Sequence, residues 1–401
     1  MKKAALGFIF VTVLIDIIGI GLIIPIVPDL IHELTGLDNS GSALFGGFLA
    51  ATYATMQFFF SPILGGLSDA YGRRPLLLAS LFGLGLDYVV IVFAPTLVWL
   101  FVARIISGIC GSSVTVANAY IADISTPEDR AKNFGMIGAA FGLGFVIGPT
   151  IGGLLGELGT RVPFMFAAGL SLLNWLYGYL VVPESLAPEN RRPFTWKRAN
   201  PFGTLKSILS HKTIIGLVLC LFFIYVAANA THANWSFFTK EKFDWSPLEI
   251  GLSLGFVGIM VAIVQGGVVG PFVRKFGEVK ATYAGLIFNI SGLFMMALVT
   301  QSWMVYVVII PYAFGGLAGP SLQSLMSGQI PKNAQGELQG GITNVMMLTA
   351  IIGPPLMTGV FRFYTNPTND LYFPGAPFVL GTLLALVSLG LAHRSLSRHH
   401  S

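Results

Sequence analysis

Long apolar runs, most of about 20 residues, alternate with short polar segments along the whole chain. A run of that length crosses the hydrocarbon core of a bilayer as one α-helix, because a helix rises about 1.5 Å per residue. The predicted spans are 5–27, 44–66, 75–94, 98–121, 131–155, 163–182, 213–235, 248–271, 280–300, 303–325, 336–361 and 372–393. The pattern therefore predicts an all-α membrane protein with twelve transmembrane helices.

The longest polar segment, 183–212, separates six spans from six, and the two groups resemble each other. Trp99 opens the fourth span of the first group, and Trp303 opens the fourth span of the second group. Likewise, Ser68–Gly72 follows the second span of the first group, and Val273–Gly277 follows the second span of the second group. The expected domains are an N-terminal six-helix bundle over 1–182, a cytoplasmic linker over 183–212 and a C-terminal six-helix bundle over 213–401. Two pseudo-symmetric parallel repeats around a cavity are typical of secondary transporters, although a twelve-span channel or a membrane enzyme would give the same helix count.

Composition and charge agree with a membrane location. Of the 401 residues, 54% are hydrophobic and 10% are charged, whereas soluble domains carry about 25% charged residues. With both termini placed inside, 18 of the 23 basic residues fall on the cytoplasmic side. The outer segments hold Arg161, Lys240, Lys242 and Arg362, and Arg104 lies within a span. This asymmetry predicts a multi-pass protein with two cytoplasmic termini.

Several function classes find no support in the sequence. A nucleic-acid partner is not expected despite the net charge of +5, because no polar basic stretch is interleaved with aromatic residues. Cys110 and Cys220 lie in apolar runs, which argues against a disulfide framework and a metal site. The sequence has no recognisable catalytic constellation or nucleotide-binding loop, so we expect neither an enzyme nor an ATP-driven pump. The expected partners are a small-molecule substrate and the lipid bilayer, with no cofactor and no obligatory protein partner.

The loop between the second and third spans is the most specific motif. Residues 65–75 read GGLSDAYGRRP and resemble the loop signature of the major facilitator superfamily. Its glycines allow two helices to approach closely, and Asp69 can pair with Arg73 or meet a helix N-terminus. We therefore predict a gate at the cytoplasmic surface that includes Asp69, Arg73 and Arg74.

The fifth span carries a second motif, GAAFGLGFVIGPTIGG, over 138–153. Small residues at this density allow a close helix pair, and the proline supplies a bend. The string resembles the fifth-helix motif of facilitator-family antiporters, which favours export over import. Gly148 and Pro149 are therefore added to the predicted gate.

Three charged residues lie well inside apolar spans, where an ionisable side chain is costly and is by default a functional candidate. Asp87 lies about 10 Å from the outer end of its helix and Arg104 about 9 Å from the start of the next, so they can pair. Asp16 lies deeper, about 16 Å from the outer end of the first helix, which we expect to line the cavity. Burial opposes ionisation of an acid whereas a nearby cation favours it, and such opposed effects can poise a proton carrier. We predict proton coupling by Asp16, Asp87 and Arg104, with Asp16 the first candidate.

The second half lacks an ionisable residue near the middle of a span, so a coupling proton belongs to the first half. It offers amide and aromatic side chains instead. The predicted substrate-binding residues are Gln57, Asn118, Asn234, Trp235, Gln265, Asn289, Gln323, Gln339 and Asn344. Each of them could also serve as a helix–helix hydrogen bond.

Taken together, the motifs resemble the tetracycline/proton antiporters of Gram-negative bacteria, in the twelve-span drug:proton antiporter branch of the superfamily. The landmarks are Asp16 in LIDIIGIGLIIPIVPDL, Gln57 in ATYATMQ, Asp87 in GLDYV, Arg104 in ARIISGICG, the two glycine motifs, Gly315-Gly316, Pro320–Gln323 and Gln335–Gly340. The resemblance covers nearly the whole chain. It implies a major facilitator fold in the bacterial inner membrane and exchange of a tetracycline, chelated to a divalent metal, for a proton. It also implies essential roles for Asp16, Asp69, Asp87 and Arg104.

Two positions depart from that family. Its ninth helix typically carries an acid where Asn289 stands, and its eighth helix often carries a histidine where Val261 precedes Gln265. Both losses remove groups suited to a proton or a chelated cation. The sequence favours a proton-coupled exporter of small amphipathic molecules, with tetracycline-like drugs as the first expectation. A metabolite or nutrient carrier of the same fold is the alternative.

Overall fold

The computed structural model describes residues 2–111, 113–126, 129–196, 199–210, 214–331 and 335–397, with the side chains at 2–5, 130–132, 204, 206, 207, 209 and 210 left out. The linker predicted over 183–212 includes four positions, 197, 198, 211 and 212, that lie outside the described residues. Residue 213, the predicted start of the seventh span, also lies outside them.

Within the described residues most of the chain is α-helical. The α-helices are α1 Lys2–Ile23, α2 Val27–Thr35, α3 Asn39–Tyr71, α4 Arg73–Val92, α5 Leu97–Cys110, α6 Ser113–Ile124, α7 Arg130–Gly156, α8 Val162–Val181, α9 Pro201–Ser210, α10 Ile215–His232, α11 Trp235–Phe243, α12 Pro247–Ile263, α13 Val269–Phe276, α14 Glu278–Leu298, α15 Ser302–Phe314, α16 Ala318–Gly328, α17 Gln335–Thr365 and α18 Ala376–Ser397. The structure also has 3₁₀ turns at Pro188–Asn190 and Gly315–Leu317 and a π-helical turn at Val264–Val268.

Twelve segments of the described chain are long and apolar enough to cross a membrane, which confirms the predicted number of spans. The first span was predicted too long, over 5–27. α1 stops at Ile23, and α2 starts a separate helix at Val27. Pro25 lies in the turn, where its missing N–H breaks the helical ladder, and Pro28 suits the first turn of α2.

Two spans contain irregular turns that hydrophobic periodicity does not reveal. The tenth span is α15 and α16 joined by the turn Gly315–Leu317. The eighth span contains the π-helical turn Val264–Val268, which includes Gln265. Irregular turns of this kind inside helices are frequent at functional sites.

The described chain divides into two compact units, of which unit 1 comprises 1–36, 52–201 and 246–255. In unit 1, α1 packs along α7 and α8, and α4 packs along α5, α6 and α8. Phe8 and Leu77 are almost completely buried in its core. Unit 1 therefore includes the first part of α12.

Unit 2 comprises 37–51, 202–245 and 256–401, and so includes the first part of α3. Its helix α10 packs along α17 and α18, and α14 packs along α15, α16 and α18. Leu286 and Leu322 are fully buried in the core between these helices. The side chains of the candidate functional residues lie on the helices of these two units.

Candidate functional site

Asp87 of α4 and Arg104 of α5 form the ion pair that their predicted depths suggested. Nη2 of Arg104 lies 3.1 Å from Oδ2 of Asp87, whose side chain is 1% exposed. The other carboxylate oxygen, Oδ1 of Asp87, is buried and has no hydrogen-bond partner. The pair fixes α4 against α5 and leaves one oxygen of the acid unused.

Asp16 of α1 is held differently. Its Oδ2 accepts a hydrogen bond from the hydroxyl of Ser113, at the start of α6, at 2.8 Å. Its Oδ1 is buried without a partner, and the residue is 6% exposed. In the described part of the chain Arg104 pairs with Asp87 and not with Asp16.

Two tyrosines connect these charges. The hydroxyls of Tyr53 on α3 and Tyr88 on α4 each interact electrostatically with Asp16, Asp87 and Arg104. Five side chains from α1, α3, α4 and α5 therefore form one polar cluster, in which Tyr53 and Arg104 are partly buried and the other three are buried.

Gln57 belongs to the edge of this cluster. Its Nε2 donates to the hydroxyl of Tyr53 at 3.4 Å and to the carbonyl of Gly111 at 3.3 Å. Sequence reasoning selected Gln57 but missed the two tyrosines and Ser113. Tyr88 is adjacent to Asp87 and could have been noticed, whereas Ser113 and Asp16 are 97 residues apart and no local pattern indicates their contact.

At the other end of α4, Arg73 lies between two acids. Its Nη1 is paired with Asp69, and its Nε lies 3.0 Å from Oδ2 of Asp123. Nη1 also donates to the hydroxyl of Ser68 at 2.7 Å. Asp69 and Arg73 thus pair as predicted, and Asp123 is a third member that the sequence analysis did not select.

Arg74 turns away from that cluster. Its Nη2 donates to the carbonyl of Tyr179, near the end of α8, at 2.8 Å, and its guanidinium lies 5.8 Å from the centre of the Tyr179 ring. Arg74 therefore ties α4 to α8 and does not pair with Asp69.

The glycines of the fifth span make the predicted close helix contact. A Cβ added at Gly148 of α7 would lie 2.8 Å from the carbonyl oxygen of Ile18 and 3.0 Å from Cα of Gly21, both on α1. Pro149 faces the first part of α12, where a Cβ added at Gly251 would overlap its carbonyl oxygen. Gly148 and Pro149 thus bring α7 against two different helices of unit 1.

In unit 2, two predicted substrate-binding amides lie beside the glycines that break the tenth span. Asn289 of α14 contacts Gly315, and Gln265, in the π-helical turn, lies beside Gly316. Asn289 is 7% exposed, and its Oδ1 is buried with no hydrogen-bond partner. Gln265 is exposed, so this amide pair combines an unsatisfied buried acceptor with an accessible neighbour.

The remaining predicted substrate-binding residues are dispersed. Gln323 is hydrogen-bonded to Tyr225 in unit 2. Asn234 and Trp235 are fully buried at the turn between α10 and α11. On α6 Asn118 is half-buried, and along α17 Gln339 is exposed and Asn344 is buried. A substrate-binding role for these six stays a prediction.

Comparison with known proteins places the chain among membrane transporters. The model of the Major Facilitator Superfamily matches residues 9–354. The chain is 39% identical over 390 residues to the class C tetracycline resistance protein of Escherichia coli, covering 97% of this chain and 96% of that protein. It is 36% identical over 354 residues to the class B protein of Escherichia coli, covering 88% and 87%.

Solved structures agree at the level of the fold. The human organic anion transporter MFSD10 (TETRAN) superposes with a TM-score of 0.73 at 22% identity, covering 98% of this chain and 99% of that one. The nucleoside transporter NupG superposes with a TM-score of 0.79 at 12% identity, with the same coverage. At these sequence identities the similarity supports the fold of the chain and gives no information about its substrate.

Proposed function

The chain belongs to the Major Facilitator Superfamily and, within it, to the family of the tetracycline resistance proteins, and from this premise we propose that it exports tetracycline-like molecules in exchange for protons. It does so by alternating access in the inner membrane of a bacterium, with both termini in the cytoplasm, as the asymmetry of its basic residues favours. The proposed activity is transport and not a covalent reaction, and the coupling ion is the proton.

The observation that carries the proposal is the free oxygen of Asp16. Ser113 holds one carboxyl oxygen, whereas the other is buried and has no partner. This oxygen can take and lose a proton without breaking a contact to another side chain. Asp87 is a poorer carrier, because protonation would weaken its ion pair with Arg104 in a low dielectric. In such an exchange the transporter would carry the substrate in one direction and a proton on Asp16 in the other.

For the substrate we propose the amide pair of unit 2, Asn289 with Gln265. Tetracyclines carry hydroxyl and keto groups along one edge, and the unsatisfied Oδ1 of Asn289 is a ready acceptor for a hydroxyl. A divalent metal that arrives chelated to the drug is part of the substrate.

Inverted membrane vesicles provide the test, because export from the cell becomes uptake into the vesicle. We expect respiring vesicles that contain the protein to accumulate tetracycline and a protonophore to release it. Adding the drug to energised vesicles should also let protons out, which a pH-sensitive dye records. Vesicles that contain Asp16→Asn provide the matched control. Accumulation that survives the protonophore would contradict proton coupling.

A metabolite carrier of the same fold is the second candidate, and the neutral side chain of Asn289 favours it. In that case tetracycline would neither accumulate nor move protons, whereas a small polar metabolite would exchange across proteoliposomes without a pH gradient. A binding screen on the purified protein that compares tetracyclines with sugars, nucleosides and amino acids separates the two candidates.

A further inference from the structure

The N-terminus of α4 is capped by a residue far away in the chain. α4 has no side-chain cap of its own and no acid in its first turn, which begins with Arg73 and Arg74. Two cations there oppose the helix dipole, whose positive end favours an anion. The carboxylate of Glu184, after α8, supplies it: Oε1 accepts the backbone N–H of Arg73 at 2.8 Å, and Oε2 accepts that of Arg74 at 3.2 Å.

Gly72 makes room for this carboxylate. It precedes α4 with a φ of 108°, which a side chain rarely adopts, and an added Cβ would overlap Oε2 of Glu184. Gly277 holds the same place before α14, with a φ of 82° and a ψ of 164°. A Cβ added there would meet nothing within 4 Å, and α14 starts with its own acid, Glu278. The two repeats thus share the backbone turn. Of the two helices α4 and α14, only α4 is capped by a distant carboxylate.

The chain around Glu184 also contacts the acids that hold Arg73. We call the segment Pro183–Arg192 the strap. The backbone N–H of Arg192 donates to the carbonyl of Asp69 at 3.0 Å, and the hydroxyl of Ser185 donates to Oδ2 of Asp123 at 3.1 Å. The strap therefore touches all three members of the ion-pair cluster Asp69–Arg73–Asp123.

We infer that the strap is a component of the gate and that Glu184 is its positioning residue. By capping α4, Glu184 holds the backbone of Arg73 at the place from which its guanidinium reaches Asp69 and Asp123. A conformational change that moves the loop 65–75 relative to the strap must break these bonds, so their strength contributes to the balance between conformers. The consequence for turnover rests on the proposed transport function, whereas the strap contact itself does not.

Limited trypsin digestion of the purified full-length protein tests the strap directly. The bond between Arg191 and Arg192 lies in the strap, where the N–H of Arg192 donates to the carbonyl of Asp69, so we expect trypsin to cut there faster once this contact opens. Glu184→Gln removes the charge and replaces one of the two acceptor oxygens by an NH₂ donor. We expect cleavage after Arg191, followed by mass spectrometry, to be at least five-fold faster in this variant, with Glu189→Gln, an exposed neighbour, as control. Equal rates in Glu184→Gln and Glu189→Gln would overturn the strap.

The two glycines give a second, independent pair of variants. Gly72→Ala and Gly277→Ala bring similar backbone strain, because both glycines have positive φ. The methyl group at position 72 would overlap Glu184 and lie 3.2 Å from Nη2 of Arg191, both in the strap, whereas the methyl group at position 277 would meet nothing within 4 Å. We expect Gly72→Ala to accelerate cleavage after Arg191 as Glu184→Gln does, and Gly277→Ala to leave it at the parent rate. Acceleration by both alanine variants would show general loosening and would overturn the specific role of Glu184.

Transport kinetics then test the positioning role. Proteoliposomes with Glu184→Gln should show a turnover lowered several-fold and a substrate affinity that stays at the parent value, because Glu184 acts through Arg73. Glu184→Asp, which keeps the charge, should recover part of the turnover. If Glu184→Gln is cleaved faster after Arg191 but transports at the turnover of the parent protein, the role of Glu184 in gating is overturned. Absence of transport in the parent protein would contradict the proposed function alone, since the digestion experiment does not depend on it.

Discussion

The two buried acids of unit 1 differ in the group that holds them. Asp87 has a cation, Arg104, at 3.1 Å, whereas Asp16 has the neutral hydroxyl of Ser113 at 2.8 Å. The first pairing could be predicted from the sequence, because depth along two adjacent helices follows from the rise per residue. The second could not, since Ser113 reaches Asp16 through a contact between residues far apart in the chain. The difference favours Asp16 as the carrier of the coupling proton, with Asp87 keeping a fixed charge.

Asp16→Asn keeps the size of the side chain and its ability to accept from Ser113, but it removes the titration. We expect accumulation of substrate driven by the pH gradient to vanish, whereas downhill exchange of labelled substrate across proteoliposomes persists. Asp16→Glu, which keeps an acid, is the control and should retain some coupling. Uphill accumulation by Asp16→Asn with an unchanged pH profile would assign the proton to another group.

Arg104→Ala should abolish transport, because it leaves Asp87 buried without its cation at a cost of about 3 to 5 kcal/mol. Arg161→Ala is the comparison. Arg161 pairs with Glu33 at 3.1 Å and donates to the carbonyl of Val92, in a half-exposed position. We expect Arg161→Ala to lower the melting temperature moderately and to retain transport. Similar activity of both variants in vesicles would contradict the buried charge cluster.

Asn289→Asp places an acid where Asn289 now presents an unsatisfied oxygen. An acid buried without a cation favours its protonated form, so the variant adds a titrating group to the amide pair. We expect the pH dependence of transport or the preference for cationic substrates to change. The matched control is Asn174→Asp, at a buried asparagine of α8 outside the predicted substrate-binding set. A variant with the parent pH profile and substrate preference would exclude Asn289 from the pathway.

At the scale of helices, hydrophobic runs predicted the number of spans but not their breaks. A break such as Gly315–Leu317 keeps the apolar composition of the span and changes only the backbone path. The short helices α2, α9 and α11 were also missed, because nine or ten residues with mixed polarity do not reach the length of a span. The glycine motif of the fifth span was predicted better, because close packing follows from the absence of side chains.

Gly148→Ala tests that packing. The added methyl group would lie 2.8 Å from the carbonyl oxygen of Ile18, so α1 and α7 must separate, at a cost of about 1 to 3 kcal/mol. Gly142→Ala, on the same helix, would meet nothing within 4 Å and serves as control. We expect a lower melting temperature and slower transport for Gly148→Ala alone. Equal effects of both substitutions would attribute them to helix propensity and not to the contact.

At the scale of the whole molecule, the internal repeat and the distribution of basic residues were visible in the sequence. The membership of the two units was not, because unit 2 takes in residues 37–51 and unit 1 takes in residues 246–255. Nor was the bond between Glu184 and Arg73, which are 111 residues apart. Composition reports the average environment of a helix, whereas these features depend on which individual side chains meet.

The orientation in the membrane follows from charge alone and can be tested by labelling. Cys110 and Cys220 are free thiols inside spans, so alanine at both positions gives a background without cysteine. Asp370, between α17 and α18, and Glu189, in the strap, are exposed and suit single cysteines. Because basic residues favour the cytoplasmic side, we expect a membrane-impermeant maleimide to label Asp370→Cys in intact cells and Glu189→Cys only after lysis. Labelling of Glu189→Cys in intact cells would reverse the topology and place the strap and its ion-pair cluster outside.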